Sequence, residues 1–141
     1  MEVQAKLQIG DNSNHVYTKQ YNVVNLICHY RRLTSISRPN TDALCENIDL
    51  TLVAPDMEDL SLYDWYISGD PLNGRVVLDL SDGKASIYGI DTNLEFEEAY
   101  CYAIEEEYKI DGRMRRTVKL SIVANEVTFE GATFKNPFKN V

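Results

Sequence analysis

The sequence has little of what marks nucleic-acid-binding, membrane-spanning or exported proteins. It carries 14 lysine and arginine residues against 22 aspartate and glutamate residues, for a formal net charge of -8 over 141 residues. An acidic chain repels phosphate backbones, so no nucleic-acid partner is predicted. No apolar run reaches the roughly 18–20 residues that span a bilayer, and the opening MEVQAKLQIG lacks the basic and apolar regions of a secretory signal. We expect a soluble chain without membrane insertion or export by the general secretory route.

Cysteine is also scarce. Cys28, Cys45 and Cys101 are odd in number and lie at long spacings without a CxxC pair. Such spacings support neither a disulfide framework nor a zinc or redox motif. We expect three reduced thiols that pack as small hydrophobic side chains, as in a protein of the reducing cytosol.

The common sequence motifs of enzymes and metal-binding sites are absent. There is no glycine-rich phosphate loop, no HExxH, no GxSxG and no calcium-binding loop, and His15 and His29 have no ligand at metal-binding spacing. The sequence therefore predicts no enzyme, no catalytic residue, no cofactor and no metal site. One predicted strand carries Glu95, Glu97, Glu105 and Glu107, which could supply carboxylates to a two-acid hydrolase site. A solvated sheet face explains these glutamates better.

What the sequence does have is the pattern of an all-β protein. Turn-forming residues recur at residues 10–14, 82–83, 91–93 and 111–112, and the segments between them are rich in Val, Ile, Tyr, Phe and Leu. The pattern predicts one domain over residues 1–141 with roughly eight strands. We place these strands near residues 3–9, 17–31, 46–53, 75–81, 84–90, 94–110, 113–124 and 127–134.

One helix interrupts the strands. Asp56 can cap it, Asp59 follows three residues later, and Gly69 and Pro71 can end it. The spacing of Leu60, Tyr63 and Ile67 predicts a helix over residues 57–68. Trp65 and Tyr66 are interpreted as anchors in the core.

The longest predicted strand, residues 94–110, exceeds the width of a small domain. At about 3.3 Å per residue it would run about 56 Å, so it must bend or be shared with a neighbour. One face is predicted to carry Leu94, Phe96, Tyr100, Tyr102, Ile104, Tyr108 and Ile110. Glu98 and Glu106 break this alternation and indicate a bulge. A two-residue turn at Asp111-Gly112 would place Glu107 opposite Arg116 as a cross-strand charge pair.

The order of these features resembles the Hcp-type tube proteins of Bacteroidetes type VI secretion systems, the TssD family. Residues 94–108 (LEFEEAYCYAIEEEY) and 118–131 (VKLSIVANEVTFEG) carry most of the resemblance. Arg38-Pro39 before the third strand and a short helix ending near Trp65 agree in order. The resemblance implies a two-sheet β-barrel with one helix, similar to phage tail tube proteins.

The resemblance also implies a function in assembly. Family members form six-membered rings that stack into a hollow, exported tube, which carries small effector proteins. Partners would be further copies of the chain and the sheath, spike and baseplate of the apparatus. The chain would be made in the cytoplasm and leave through the apparatus, to the outside or into target cells, without a signal peptide.

The loop over residues 33–44 is the predicted ring-stacking element. In the family this loop contacts the adjacent ring, and here Arg31, Arg32, Arg38, Pro39 and Asn40 are the candidate residues. Its positive charges predict an acidic partner, either the glutamate-rich strand faces or the helix region of the next ring. A mobile loop without a partner is the alternative for this segment. For the whole chain, the alternative function is a monomeric β-barrel that binds a small ligand.

Overall fold

Seven strands and one helix build the described part of the chain. The computed structural model describes residues 4–32, 43–79, 92–110, 114–129 and 132–135. Its elements are β1 (Gln4–Asp11), β2 (Val16–Arg32), β3 (Ala43–Val53), α1 (Ser61–Ser68), β4 (Leu72–Asp79), β5 (Thr92–Ile110), β6 (Met114–Phe129) and β7 (Ala132–Lys135). The all-β prediction with one helix is confirmed.

The last two predicted strands are divided at a different place in the structure. The break expected after residue 124 is absent, because Asn125 and Glu126 continue β6 to Phe129, and residues 132–134 of the last predicted strand belong to β7. Glu126 pairs with Glu97 of β5 on one side and with Lys135 of β7 on the other, so the ladder passes through the expected break. The strand predicted at residues 84–90 lies outside the described residues.

The strands close into an antiparallel barrel. Their order is β3-β2-β1-β4-β5-β6, and β3 pairs with β6 to complete the circle, while β7 adds to β6. The barrel interior is filled by inward-facing side chains that are at most 1% exposed, among them Leu7, Leu50, Phe96 and Leu120. A ligand-binding barrel needs an interior cavity, whereas these described positions are filled by packed side chains.

Helix α1 is shorter than predicted. It begins at Ser61 rather than at residue 57, because residues 57 and 58 form a turn and the Asp59 carboxylate accepts a hydrogen bond from the Ser61 amide at 3.0 Å. Trp65 is the predicted anchor: its indole N–H donates to the Ala99 carbonyl at 2.9 Å, and its ring stacks on Phe96. Tyr66 is 43% exposed, so its placement in the core was wrong.

Strand β5 bends at two bulges, only one of them at a predicted residue. Glu98 has a positive φ of 51° and is the extra residue against β4, and its amide donates to Asn73 at 2.8 Å. Tyr102 is the extra residue against β6, whereas Glu106 pairs regularly with Val118. Each bulge exchanges the two faces of the strand. Ala99 and Cys101 therefore face the core, and the prediction that Tyr100 and Tyr102 share a face with Phe96 was wrong.

Each of the three cysteines carries a reduced thiol in the structure. Cys45 and Cys101 are buried, and burial raises the pKa of Cys45 to about 12 and that of Cys101 to about 11. Burial also raises the pKa of the half-buried Cys28. The thiolate is the reactive form, so these cysteines should react slowly at neutral pH.

A buried asparagine joins the β1–β2 turn to the barrel. Asn12 is 6% exposed, and its amide nitrogen donates to the carbonyls of Gly74 at 2.9 Å and Phe96 at 3.1 Å. Its amide oxygen accepts from the Tyr17 hydroxyl at 2.7 Å. One side chain thereby ties together the turn, β4 and β5.

We expect Asn12→Ala to lower the free energy of unfolding by about 1–3 kcal/mol, because it leaves buried carbonyls without a donor. Urea unfolding measures this loss. Ser13→Ala is the matched control in the same turn, since Ser13 is exposed, and should change stability by no more than about 0.5 kcal/mol. Equal losses in both variants would show that Asn12 does not hold the turn.

Candidate assembly surfaces

Four strands of the barrel form a sheet with two open edges. The sheet runs β2-β3-β6-β5. Strand β1 pairs with β2 only as far as Val23, and β4 pairs with β5 only as far as Ala99. Within the described residues, residues 24–32 of β2 and residues 100–110 of β5 therefore have a strand partner on one side only. These two open edges border opposite sides of the same sheet.

The outward face of this sheet is polar. Asp49 lies near its centre, and its carboxylate accepts hydrogen bonds from the Ser121 hydroxyl at 2.7 Å and the Asn47 amide at 3.3 Å. His29 Nε2 lies 3.0 Å from the other carboxylate oxygen. Burial alone would raise the pKa of Asp49, but the hydrogen bonds with Ser121 and His29 outweigh it and lower the pKa below 3.8. The other face of the sheet forms part of the packed core.

The depressed pKa of Asp49 makes its contribution to stability depend on pH. A carboxyl group whose pKa is lower in the folded state stabilises the fold above its unfolded pKa and loses this effect as pH falls through the folded value. We expect the difference in unfolding free energy between the wild type and Asp49→Asn to be largest above pH 3.8 and to shrink below it. Urea unfolding at several pH values measures it, and a constant difference would contradict the assignment.

The β5–β6 hairpin extends beyond the end of β3 as an arm. The last β3–β6 pair is Val53 with Thr117, and Thr117 pairs with Glu107, so residues 108–110 and 114–116 continue beyond β3. The arm is held at its base, where the Arg116 guanidinium donates to the Pro55 carbonyl at 3.0 Å. Exposed apolar side chains line it, with Tyr108 at 52% and Ile110 at 81%.

The predicted register of this hairpin was wrong by one residue. Ile110 pairs with Met114, so three residues rather than two separate the paired positions. Glu107 therefore lies opposite Thr117, and Arg116 lies opposite Tyr108. Because directly paired side chains share a face, Glu107 and Arg116 point to opposite faces of the hairpin and do not form the expected charge pair.

Residues 33–42 of the predicted ring-stacking loop lie outside the described residues, and its last two residues begin β3. Arg31 and Arg32 end β2, whereas Arg38, Pro39 and Asn40 lie outside the described residues. The Arg31 guanidinium lies 3.7 Å from the Glu46 carboxylate, so one of these positive charges already has a partner within its own barrel.

The segment that follows β3 is acidic in sequence, and basic side chains of neighbouring strands contact it: Arg116 donates to the Pro55 carbonyl, and Lys19 lies 3.9 Å from Asp59. Arg31 and Arg32 lie beside its start, and the segment after its end, residues 54–74, has five acidic residues and no lysine or arginine. The strand has 11 residues, so about 30 Å separates the two ends. The residues beside the start of β3 are therefore basic, whereas the segment after its end is acidic in sequence.

The glutamates of β5 do not converge on a reaction centre. Glu97 accepts a hydrogen bond from Asn12 at 3.3 Å, whereas Glu105 and Glu107 are exposed near the arm. Among the described residues, no three His, Cys, Asp or Glu side chains are grouped to hold a metal ion. The helix in this part of the chain is too short to cross a membrane.

Sequence reasoning identified the long strands but missed where their edges are open. The signal was present in strand length, because a strand much longer than its neighbour cannot be paired along its whole length. Nothing in the alternation shows where the pairing with β1 and β4 ends. Sequence reasoning also missed the surface beside α1, since its residues read as helix and turn.

The family comparison covers almost the whole chain. The model described as "Hemolysin coregulated protein Hcp (TssD)" matches residues 1–139. None of the curated proteins matches the sequence.

Several solved structures share the fold. Hcp1 from Flavobacterium johnsoniae is 20% identical with a TM-score of 0.72, and the match covers 94% of this chain and 99% of that one. Hcp1 from Salmonella typhimurium is 14% identical with a TM-score of 0.64, covering 99% and 97%. An Hcp1 double mutant from E. coli EAEC 042 is 10% identical with a TM-score of 0.62, covering 98% and 99%. At these identities the structures establish a shared fold.

Proposed function

The chain belongs to the hemolysin coregulated protein Hcp (TssD) family, and from this membership we propose that it is a structural tube subunit of a type VI secretion system. In this role it forms six-membered rings that stack into a hollow tube. The tube is exported and carries small effector proteins in its lumen. The function is structural rather than catalytic.

The two strand edges that have no partner within the described residues support this proposal. Open strand edges in a free subunit invite pairing with another chain, and a head-to-tail ring covers every such edge with an identical partner. Strand directions alternate across the order β2-β3-β6-β5. Residues 24–32 of one copy would therefore meet residues 100–110 of the next copy in the antiparallel sense that all other pairs in the barrel use.

We infer which face of the sheet lines the ring from the chemistry of its two faces. One face carries the exposed polar side chains around Asp49, and the other is covered by the rest of the barrel and α1. A closed ring has more room on its convex side, which suits the bulkier covered face. The polar face then lines the lumen, where it contacts cargo and water.

The acidic sequence of residues 54–74 and the arginines at the end of β2 support stacking of rings in one direction. Arg31, Arg32, Arg38, Pro39 and Asn40 would form the stacking loop at one end. The acidic segment at residues 54–74 would receive it on the next ring. Contacts between exposed charges are weakened by salt, so stacking should be salt-sensitive.

The remaining partners follow from this role. The tube would contact the sheath, spike and baseplate of the secretion apparatus, and it would travel from the cytoplasm through that apparatus without a signal peptide. Effector proteins small enough for the lumen would be its cargo.

Cysteine labelling of assembled rings tests the proposed function. Lys119→Cys places a thiol on the polar face, and Asp64→Cys places one on α1 as the matched control. The native thiols have raised pKa values and contribute little labelling. In rings seen by electron microscopy, a small maleimide should label both variants, and a maleimide on a large polymer should label only Asp64→Cys. Polymer labelling of both variants, or the absence of rings, would contradict the proposal.

A further inference from the structure

A hollow with an apolar floor lies between α1 and the β1–β2 hairpin. It has a volume of about 380 Å³, and Ile9, Leu62, Trp65 and Leu72 supply its apolar walls. Asp64 and Asp70 also line it, with hydroxyl groups from Thr18, Ser61 and Ser68. We refer to it as the α1 pocket.

Two carboxylates of the α1 pocket are unpaired within the described residues. Asp64 and Asp70 are exposed, and no hydrogen bond or ion pair to either carboxylate exists in this part of the chain. Nearby Asp59 is fully engaged instead: it accepts from the Ser61 amide and the Tyr21 hydroxyl and lies 3.9 Å from the Lys19 ammonium. Lys19, the one cation in the wall of the pocket, is thereby already paired.

Exposed apolar side chains flank these carboxylates. Leu60 is 57% exposed and Ile67 is 75% exposed, and their spacing places them on the same side as Asp64, at the start and end of α1. Met57, at 79%, extends the patch. Large apolar residues clustered on a surface beside a pocket indicate an interaction site.

We propose that the α1 pocket docks a basic amphipathic segment of another protein. A lysine or arginine of that segment enters the pocket, with its alkyl stem against Ile9, Leu62 and Leu72 and its cationic head at Asp64 and Asp70. Apolar residues of the same segment cover Leu60 and Ile67. We expect a positively charged occupant because residues 54–74 contain five acidic residues and no lysine or arginine.

The position of the pocket in the assembly rests on the proposed ring. A ring that closes through residues 24–32 and 100–110 occupies both sheet edges and points the polar face inward. Helix α1 packs on the opposite side of that sheet, so the α1 pocket stays open on the outside of the tube. The occupant is therefore a protein that surrounds or meets the tube rather than a cargo in its lumen.

Trp65 provides a direct readout, since it lines the pocket and is the single tryptophan of the chain. We would titrate the full chain with a tryptophan-free amphipathic helical peptide of leucine and arginine. A peptide of leucine and glutamate serves as the control. We expect a saturable change in Trp65 fluorescence with the first peptide only. No change with the arginine peptide would overturn the proposal.

A matched pair of variants separates docking in the pocket from general attraction to an acidic surface. Asp64→Asn with Asp70→Asn should weaken binding about tenfold or more, since charge-assisted hydrogen bonds are lost. Asp56→Asn with Glu58→Gln removes the same charge outside the pocket lining and should change affinity by no more than about twofold. Equal weakening in both double variants would overturn the proposal.

The particle mass, measured in the same samples, keeps the two proposals distinct. A ring that fails to bind the peptide overturns the docking surface and leaves the ring intact. A monomer that binds it with the expected variant pattern overturns the ring and supports the docking surface. A fluorescence change that rises with protein concentration alone would identify a second copy of this chain as the occupant and overturn a foreign basic segment.

Discussion

Gly74→Ala should unfold the protein or lower its free energy of unfolding by about 3 kcal/mol or more. A Cβ atom at this position would lie 2.4 Å from the Gln8 carbonyl oxygen and 2.9 Å from the Phe96 ring. The carbonyl belongs to the paired strand β1, so relief requires movement of the backbone. The expected loss is a large part of the roughly 5–15 kcal/mol that stabilises a typical domain. Urea unfolding and the yield of soluble protein measure it.

Gly69→Asn is the control for the Gly74 variant. Gly69 ends α1 with φ 72°, a conformation that asparagine tolerates, and a Cβ there meets no atom within 4 Å. We expect this variant to lose less than about 1 kcal/mol. A Gly74→Ala variant as stable as Gly69→Asn would contradict the close approach of β1 and β4.

Lysines on both open edges should abolish the ring and leave the barrel folded. Ile27 is 43% exposed on β2 and Tyr102 is 52% exposed on β5, so neither side chain is part of the packed core. In a head-to-tail ring the two edges face each other, and Ile27→Lys with Tyr102→Lys places like charges along every contact. We expect the mass in solution to fall from six protomers to one, with little change in melting temperature.

Two further variants serve as controls for the double lysine variant. Ile67→Lys adds a charge at an exposed position on α1, away from both edges, and should leave the mass unchanged. Ile27→Lys with Tyr102→Glu replaces repulsion by attraction and should recover part of the ring. Loss of the ring in Ile67→Lys would contradict the edge contact, as would an unchanged mass in the double lysine variant.

The alternation of side chains along the sequence made most of the strands predictable. Features that depend on how one strand pairs with another could not be predicted from the sequence. Alternating side chains locate β1 and β2, and Trp65 is recognisable as an anchor because a large ring with one N–H suits a helix packed on a sheet. The bulge at Glu98 was predictable from a break in alternation. The bulge at Tyr102 was not, because a tyrosine there fits the alternation and only the partner strand shows the extra residue.

The wrong predictions arose for the same reason, because each depends on how a strand pairs with its neighbour. The hairpin register depends on whether two or three residues connect Ile110 to Met114, and a one-residue change moved Arg116 from Glu107 to Tyr108. The continuity of β6 depends on Glu126, whose charge suggests a loop but whose backbone pairs on both sides. The assembly surfaces were least predictable, because an open edge is defined by where a neighbouring strand ends.

In the proposed assembly, the open edges of the four-stranded sheet join identical subunits into a ring. Light scattering coupled to size exclusion measures this most directly on the wild-type chain at micromolar concentration. We expect one species with the mass of six protomers, which the edge lysines convert into a single protomer. A wild-type chain that remains a monomer at tens of micromolar would contradict it.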